Sequence, residues 1–225
     1  MQTEFKTETH LHIEDACTPS DVTTEDMLNL YKKEGFKTII ITPHYNKKYF
    51  DRISPDFDER KDFLLGGYYK AKELGEKMGL NILLGVELTL TEGKNEYLIY
   101  GVNETFLRMH PNLYDLSLSK LVKICRANDF LIVQAHPFRR GQEPAPLDYQ
   151  MPLEVFNGRH VVDPQNELVE AYAKENGLIG VSGTDFHEIE DYRGGIITKN
   201  EIKTIDDFKQ SVFTNDFRII KTIAE

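Results

Sequence analysis

The sequence predicts an α/β fold in which successive βα units build a parallel sheet or a closed barrel. Four observations predict it. Short apolar, β-branched runs alternate with stretches at helical spacing, which gives roughly seven strands. The chain has 225 residues, 40% hydrophobic and 11% aromatic, enough for a packed core. No linker or low-complexity tract divides it, so residues 1–225 read as one domain. Finally, the predicted strands repeatedly end on a histidine or an acid, positions that face one another across the mouth of a βα barrel.

Each element follows from its local pattern. "EFKTETHLHI" alternates and reads as a strand that aims His10 and His12 from the same face. "TTEDMLNLYKKEGF" reads as a helix, with Thr23 or Thr24 as cap, acids in its first turn and Gly35 as its stop. "KTIIITPH" is a buried strand ending at His44. Residues 54–79 form a long helical region weakened at Gly66–Gly67. "NILLGVELTL" carries Glu87 and is followed, after "TEGK", by the strand "EYLIYGV". "SLSKLVKICRANDF" reads as a helix leading into the strand "FLIVQAHPF". The proline-rich "RRGQEPAPLDYQMP" is the expected long loop. "MPLEVFN" and "LIGVSGTDFH" read as strands around the helix "NELVEAYAKENG". "GGIITK", "TIDDFKQSVFTND" and "RIIK" close the chain as strand, helix and terminal segment.

Bulk properties exclude several functions. A net charge of −10 disfavours long nucleic acid and anionic membranes as partners. A small phosphorylated substrate remains compatible, because local cations can invert the field in one pocket. No apolar stretch is long enough to span a bilayer, and "MQTEFKTETH" lacks the apolar core of a signal peptide. Cys17 and Cys125 form no CxxC pair and read as reduced thiols of a cytoplasmic protein. Oligomeric state is not legible.

Five of the seven histidines fall at strand ends: His10, His12, His44, His136 and His187. Glu87 and Asp185 join them. His, Asp and Glu without Cys is the ligand set of hydrolytic zinc, manganese or iron sites. These residues exceed the needs of one ion, and a carboxylate such as Glu87 can bridge two. Two or three divalent ions are therefore expected, suited to clamping phosphoryl oxygens and activating water.

In this order, "THLHIED", "ITPHYN", "GVEL", "QAHPF" and "GTDFH" resemble the motifs of the polymerase-and-histidinol-phosphatase (PHP) family, from about residue 8 to residue 197. The resemblance implies a distorted (β/α)7 barrel with a trinuclear metal centre at the C-terminal strand ends and hydrolysis of phosphoesters. It also implies ligand roles. His10, His12, Glu87 and Asp185 hold one ion, Glu87 bridges to a second held with His136, and His44 and His187 hold a third. Asp15 is the expected helper of the third ion, with Glu14 and Cys17 as alternatives. Glu96 stands where the family carries a second-metal histidine; His110 is the alternative there.

Around this centre, Arg139 and Arg193 are the expected phosphate-binding cations, since a guanidinium meets phosphate bidentately. Arg140 and Arg159 read as ordinary surface residues, and His160 as a loop residue. Asn157 is a candidate substrate contact, and Glu154 is equally compatible with a structural role. Asp185 or His187 would handle protons, while Cys125 reads as core. The expected function is a metal-dependent phosphomonoesterase of a small phosphorylated substrate, histidinol-phosphatase-like or phosphotyrosine-phosphatase-like. The alternatives are a nucleotide or short-oligonucleotide phosphodiesterase, a C–N hydrolase of similar barrel, and a non-catalytic metal-binding regulatory module.

Overall fold

Residues 4–13, 22–159 and 164–222 are described in the structure, a computed structural model. β1 (Phe5–Leu11) leads to α1 (Thr24–Lys33), where the Thr23 side chain accepts the Asp26 amide and acids occupy the first turn. Gly35, at φ 84°, turns the chain into β2 (Phe36–Ile41). α1 buries Met27, Leu28 and Tyr31 in a cluster with Ile39 and Ile41 of β2. Full burial of such side chains contributes about 1.5–3 kcal/mol each.

The next stretch departs from expectation. A two-residue strand, β3 (His44–Tyr45), and a short helix, α2 (Lys47–Ile53), precede α3 (Phe57–Met78). The long helix starts at Phe57 rather than at residue 54, because Asp56 is extended and caps it by accepting the Glu59 amide. The Gly66–Gly67 pair lies inside the helix without ending it.

β4 (Asn81–Thr89) and β5 (Glu96–Tyr100) are joined by too short a connection for a crossover, so they pair antiparallel, as does β5 with β6 (Leu131–Ala135). Between β5 and β6 lie α4 (Glu104–Met109) and α5 (Leu118–Ala127). β7 (Leu153–Asn157), α6 (Asn166–Glu175) and β8 (Gly180–Gly183) form a parallel βαβ unit. β9 (Ile196–Thr198), α7 (Ile205–Thr214) and β10 (Arg218–Ile219) complete the order.

The sheet runs β10-β9-β1-β2-β4-β5-β6-β7-β8, with β3 added to β4. β9 pairs antiparallel with residues 5–7 of β1. Farther along β1, the chain leaving β8 comes alongside: Leu11 bridges Phe186, and the Asp185 amide donates to the His10 carbonyl at 2.8 Å. The sheet thereby curls into a nearly closed barrel, mixed rather than wholly parallel. Gly183 permits this approach, because a Cβ there would collide with the Cβ of His10.

Candidate metal centre

One end of the barrel collects the polar residues. β1 delivers His10 and, just beyond its end, His12. β3 sets His44 directly opposite Glu87 of β4. β6 delivers His136, and the segment after β8 delivers Asp185 and His187. Glu96 is the first residue of β5 yet lies at the same end, because β5 runs antiparallel to its neighbours. His136 and Asp185 have positive φ, 29° and 54°. Non-glycine residues held in that region are concentrated at functional sites.

The donor atoms converge. His10 Nε2 lies 3.2 Å from His12 Nε2 and 3.3 Å from Glu87 Oε1. His12 Nε2 is 3.2 Å from Asp185 Oδ1. Glu87 faces both sides: Oε1 is 3.1 Å from His136 Nε2, and Oε2 is 2.6 Å from His44 Nδ1. His136 Nε2 is also 3.7 Å from Glu96 Oε2. The His12 ring stacks on His44 at 4.1 Å and lies 4.6 Å from His187.

Burial makes this crowd of charges costly unless opposite charge enters it. Burial alone would raise the Glu87 carboxyl, but His10 and His44 outweigh it and hold the group well below the usual carboxylate range. Asp185 is likewise pushed up by burial and then held well below its ordinary value, chiefly by His10, with further help from a His12 hydrogen bond and Arg139. Burial drives the His12 imidazole down, and neighbouring His44 adds to that, so His12 is neutral, with one ring N–H and one lone pair.

In each of three groups the donor atoms lie within 4.8 Å of one another: His10, His12 and Asp185; His12, His44 and His187; and Glu87, Glu96 and His136. The residues fit divalent ions on their own chemistry. All donors are imidazole nitrogen or carboxylate oxygen, and His12 Nδ1 is buried without a hydrogen-bond partner among the described residues.

A PHP domain model matches residues 8–219. The chain belongs to the PHP domain family. Solved structures agree in fold. A two-domain Bacteroides vulgatus protein containing a predicted PHP-like metal-dependent phosphoesterase has a TM-score of 0.70 at 15% identity, covering 98% of this chain and 65% of that one. The present chain thus spans less than two thirds of that protein. PsfC from Pseudomonas syringae gives a TM-score of 0.69 at 17% identity, covering 98% of this chain and 92% of PsfC. No curated protein matches the chain.

Within this PHP domain the structure brings together His10, His12, His44, Glu87, Glu96, His136, Asp185, His187 and Arg139. A turn closed by the Arg139 amide and the His136 carbonyl folds Arg139 back, and its Nη2 lies 2.5 Å from Asp185 Oδ2. Arg140, next to it, is exposed. Asp15, with Glu14 and Cys17, lies outside the described residues, as does His160. His110 is not at the centre; it caps the end of α4 with its ring against Phe106.

Two expectations for arginines are corrected. Arg193 does not reach the cluster. Its guanidinium binds Glu34 at 3.0 Å and the Ile189 carbonyl at 3.2 Å, over the Tyr31 and Phe186 rings. Phe186 points from the barrel toward α1, opposite in sense to its neighbours Asp185 and His187, and Arg193 follows it. Arg159 instead is brought to the site, with Nη1 3.0 Å from His187 Nε2.

Sequence reasoning passed over Glu8 and Gln142, which support the candidate ligands, and named Glu154 and Asn157 without that role. Glu8 is buried and accepts from the amides of Thr9, His10 and Thr184 and from the Tyr31 and Thr184 hydroxyls. It ties β1 to the segment carrying Asp185. Its place two residues before His10 was the available signal. Glu154 accepts from His10 Nδ1 at 2.8 Å, the His136 amide at 3.1 Å and Asn157 Nδ2 at 2.9 Å, and Asn157 also reaches Asp185 at 3.2 Å. Asn157 is thus tied to ligands. Gln142 binds Glu96 and His136 from a loop whose pattern carries no signal. Cys125 is buried in α5, and burial pushes its thiol up to about 12, so no thiolate nucleophile arises there.

Proposed function

We propose that this PHP domain is a phosphomonoesterase of small phosphorylated molecules, working with two or three divalent ions of the manganese, zinc or iron type. The observation that carries this reading is the pairing of a buried donor cluster with guanidinium groups at its rim. His10, His12, Glu87, His136 and Asp185 are almost wholly buried, whereas the side chains of His44, Glu96 and Arg139 are 18%, 20% and 19% exposed. That opening suits a compact phosphoryl group. The acidic chain, at −10, attracts no long nucleic acid.

Ions bound at the centre would make hydroxide available near neutral pH and neutralise phosphoryl charge. The chain's own residues do the rest. Arg139 and Arg159 are partly exposed beside the cluster, so each guanidinium is placed to meet a phosphoryl oxygen. Arg139, fixed by Asp185, orients the phosphoryl group and absorbs charge on its non-bridging oxygens in the transition state. His187 Nδ1 donates to the Asp185 carbonyl at 2.7 Å, which leaves the Nε2 lone pair for an ion or for Arg159. Were His187 Nε2 to hold an ion, Arg159 would give up this bond and its guanidinium would be free to meet substrate. Asp185, held ionised by its cationic neighbours, serves as an anionic donor beside His10 and His12 and as the partner that fixes Arg139.

The test is turnover by the metal-loaded chain on histidinol phosphate, phosphotyrosine peptide, nucleoside mono- and bisphosphates and short oligonucleotides. Release of inorganic phosphate from small monoesters is expected. Cleavage confined to diesters would move the reading to a phosphodiesterase, and metal binding without any turnover would make the chain a metal-binding module.

A further inference from the structure

The three donor groups are not chemically equal. Two carboxylates and one imidazole face the Glu87–Glu96–His136 position. Three imidazoles make up the His12–His44–His187 group, which Glu87 approaches only through its second oxygen, 2.6 Å from His44 Nδ1, and two imidazoles with one carboxylate face the His10–His12–Asp185 position. Carboxylate oxygen is a hard donor that suits manganese and magnesium, whereas imidazole suits zinc, copper, iron and nickel. The donor set therefore changes across a few ångströms.

The carboxylate-rich position also has its own supporting residues. Gln142 Nε2 donates to Glu96 Oε2 at 2.9 Å, and Gln142 Oε1 lies 3.2 Å from His136 Nδ1. Both side-chain bonds of Gln142 thus end on this group. With its Nδ1 proton given to Gln142, His136 keeps the Nε2 lone pair toward Glu87 and Glu96. Thr89 Oγ1 donates to the other Glu96 oxygen at 3.1 Å. Gln142 and Thr89 hold Glu96 through neutral donors, and the Arg139 guanidinium stands farther off, with Nη1 4.0 Å from Glu96 Oε2.

We propose that the centre is divided by metal type: the Glu87–Glu96–His136 position, served by Gln142, selects a hard divalent cation of the manganese class, while the imidazole-rich positions select zinc-class ions. The inference rests on reading the cluster as a metal centre. Zinc outranks manganese at any nitrogen or oxygen site of fixed geometry, so the division shows in the order of displacement. Glu96 is the residue that makes the difference, since a histidine there would render the position imidazole-rich as well.

The experiment needs no turnover. The full chain is stripped with chelator, loaded with Mn²⁺, freed of excess and titrated with Zn²⁺. Retained manganese is read by elemental analysis and by Mn²⁺ electron paramagnetic resonance. Displacement in two stages is expected, with one manganese per chain outlasting the others. In Glu96→His the late stage merges with the early one. Gln142→Leu keeps every direct donor and is expected to weaken the retained manganese about 10–100-fold while leaving the early stage unchanged. One-stage displacement in the parent chain overturns the proposal. So does a persisting late stage in Glu96→His with a native circular dichroism spectrum, or unaltered manganese affinity in Gln142→Leu. If the parent loses manganese in one stage yet hydrolyses phosphomonoesters, only the division falls; if it binds no metal, the functional reading falls with it.

Discussion

His10 Nδ1 lies 2.8 Å from Glu154 Oε1, and both side chains are fully buried. This contact leaves His10 Nε2 as the atom facing Glu87, His12 and Asp185. The second Glu154 oxygen takes the His136 amide and Asn157 Nδ2, so one carboxylate steadies ligands on opposite sides of the cluster. Carboxylates behind metal-binding histidines fix the tautomer and raise ligand basicity.

Glu154→Gln is therefore expected to lower metal affinity about 10–100-fold. The amide cannot accept on both arms, so either the His10 contact or the His136 and Asn157 contacts are lost. Competition against a chelating dye measures the effect. Unchanged affinity in Glu154→Gln would show that Glu154 only fills space.

Glu87→Gln is expected to be the most damaging single change at the centre. Its two oxygens face His136 on one side and His44 on the other, so the variant should lose more than one ion per chain. His44→Ala, by comparison, removes a donor from one group and should lose a single ion. Elemental analysis of both variants after identical loading separates the outcomes. Equal losses would remove the bridging role.

Arg139→Ala should cut kcat/KM by roughly one to two orders of magnitude while the metal content stays near normal. Losing a charge-assisted contact of this kind costs about 1.5–3 kcal/mol. Arg139→Lys should recover little, because an ammonium cannot reproduce the fork. Arg140→Ala should be nearly silent, since Arg140 is exposed. Steady-state kinetics with parallel metal analysis tests the set, and equal losses at both arginines would reject the assignment.

Arg193→Ala should act on stability rather than turnover. Its guanidinium, within 4 Å of Glu34 and stacked over Tyr31 and Phe186, is buried away from the donor cluster. Breaking this contact strips Glu34 and the Asp191 and Ile189 carbonyls of a charged donor and costs about 1–3 kcal/mol. A lowered Tm with kcat/KM of the folded protein near the parent value is expected. A large kinetic loss at unchanged Tm would return Arg193 to the site.

The sequence by itself determined the pattern that places the candidate ligands at strand ends. His10 and His12 share a face by the two-residue period, and His44, Glu87, His136, Asp185 and His187 each close or interrupt an apolar run. Such signals are local, and they carried over into the fold. Tertiary structure decided what depends on direction and return. Glu96 reaches the mouth because β5 runs antiparallel, which follows from the short connection after β4. Arg159 and Arg193 exchanged their expected places because the segment after β8 turns Phe186, and Arg193 with it, toward α1, while Arg159 from the end of β7 lies against His187. Glu154 and Gln142 became supports of the ligands only when distant segments met, across 144 residues for Glu154 and His10. Side-chain periodicity records which face a residue occupies. It holds no information on which strand will lie opposite, and that pairing chose the partners of every carboxylate in this centre.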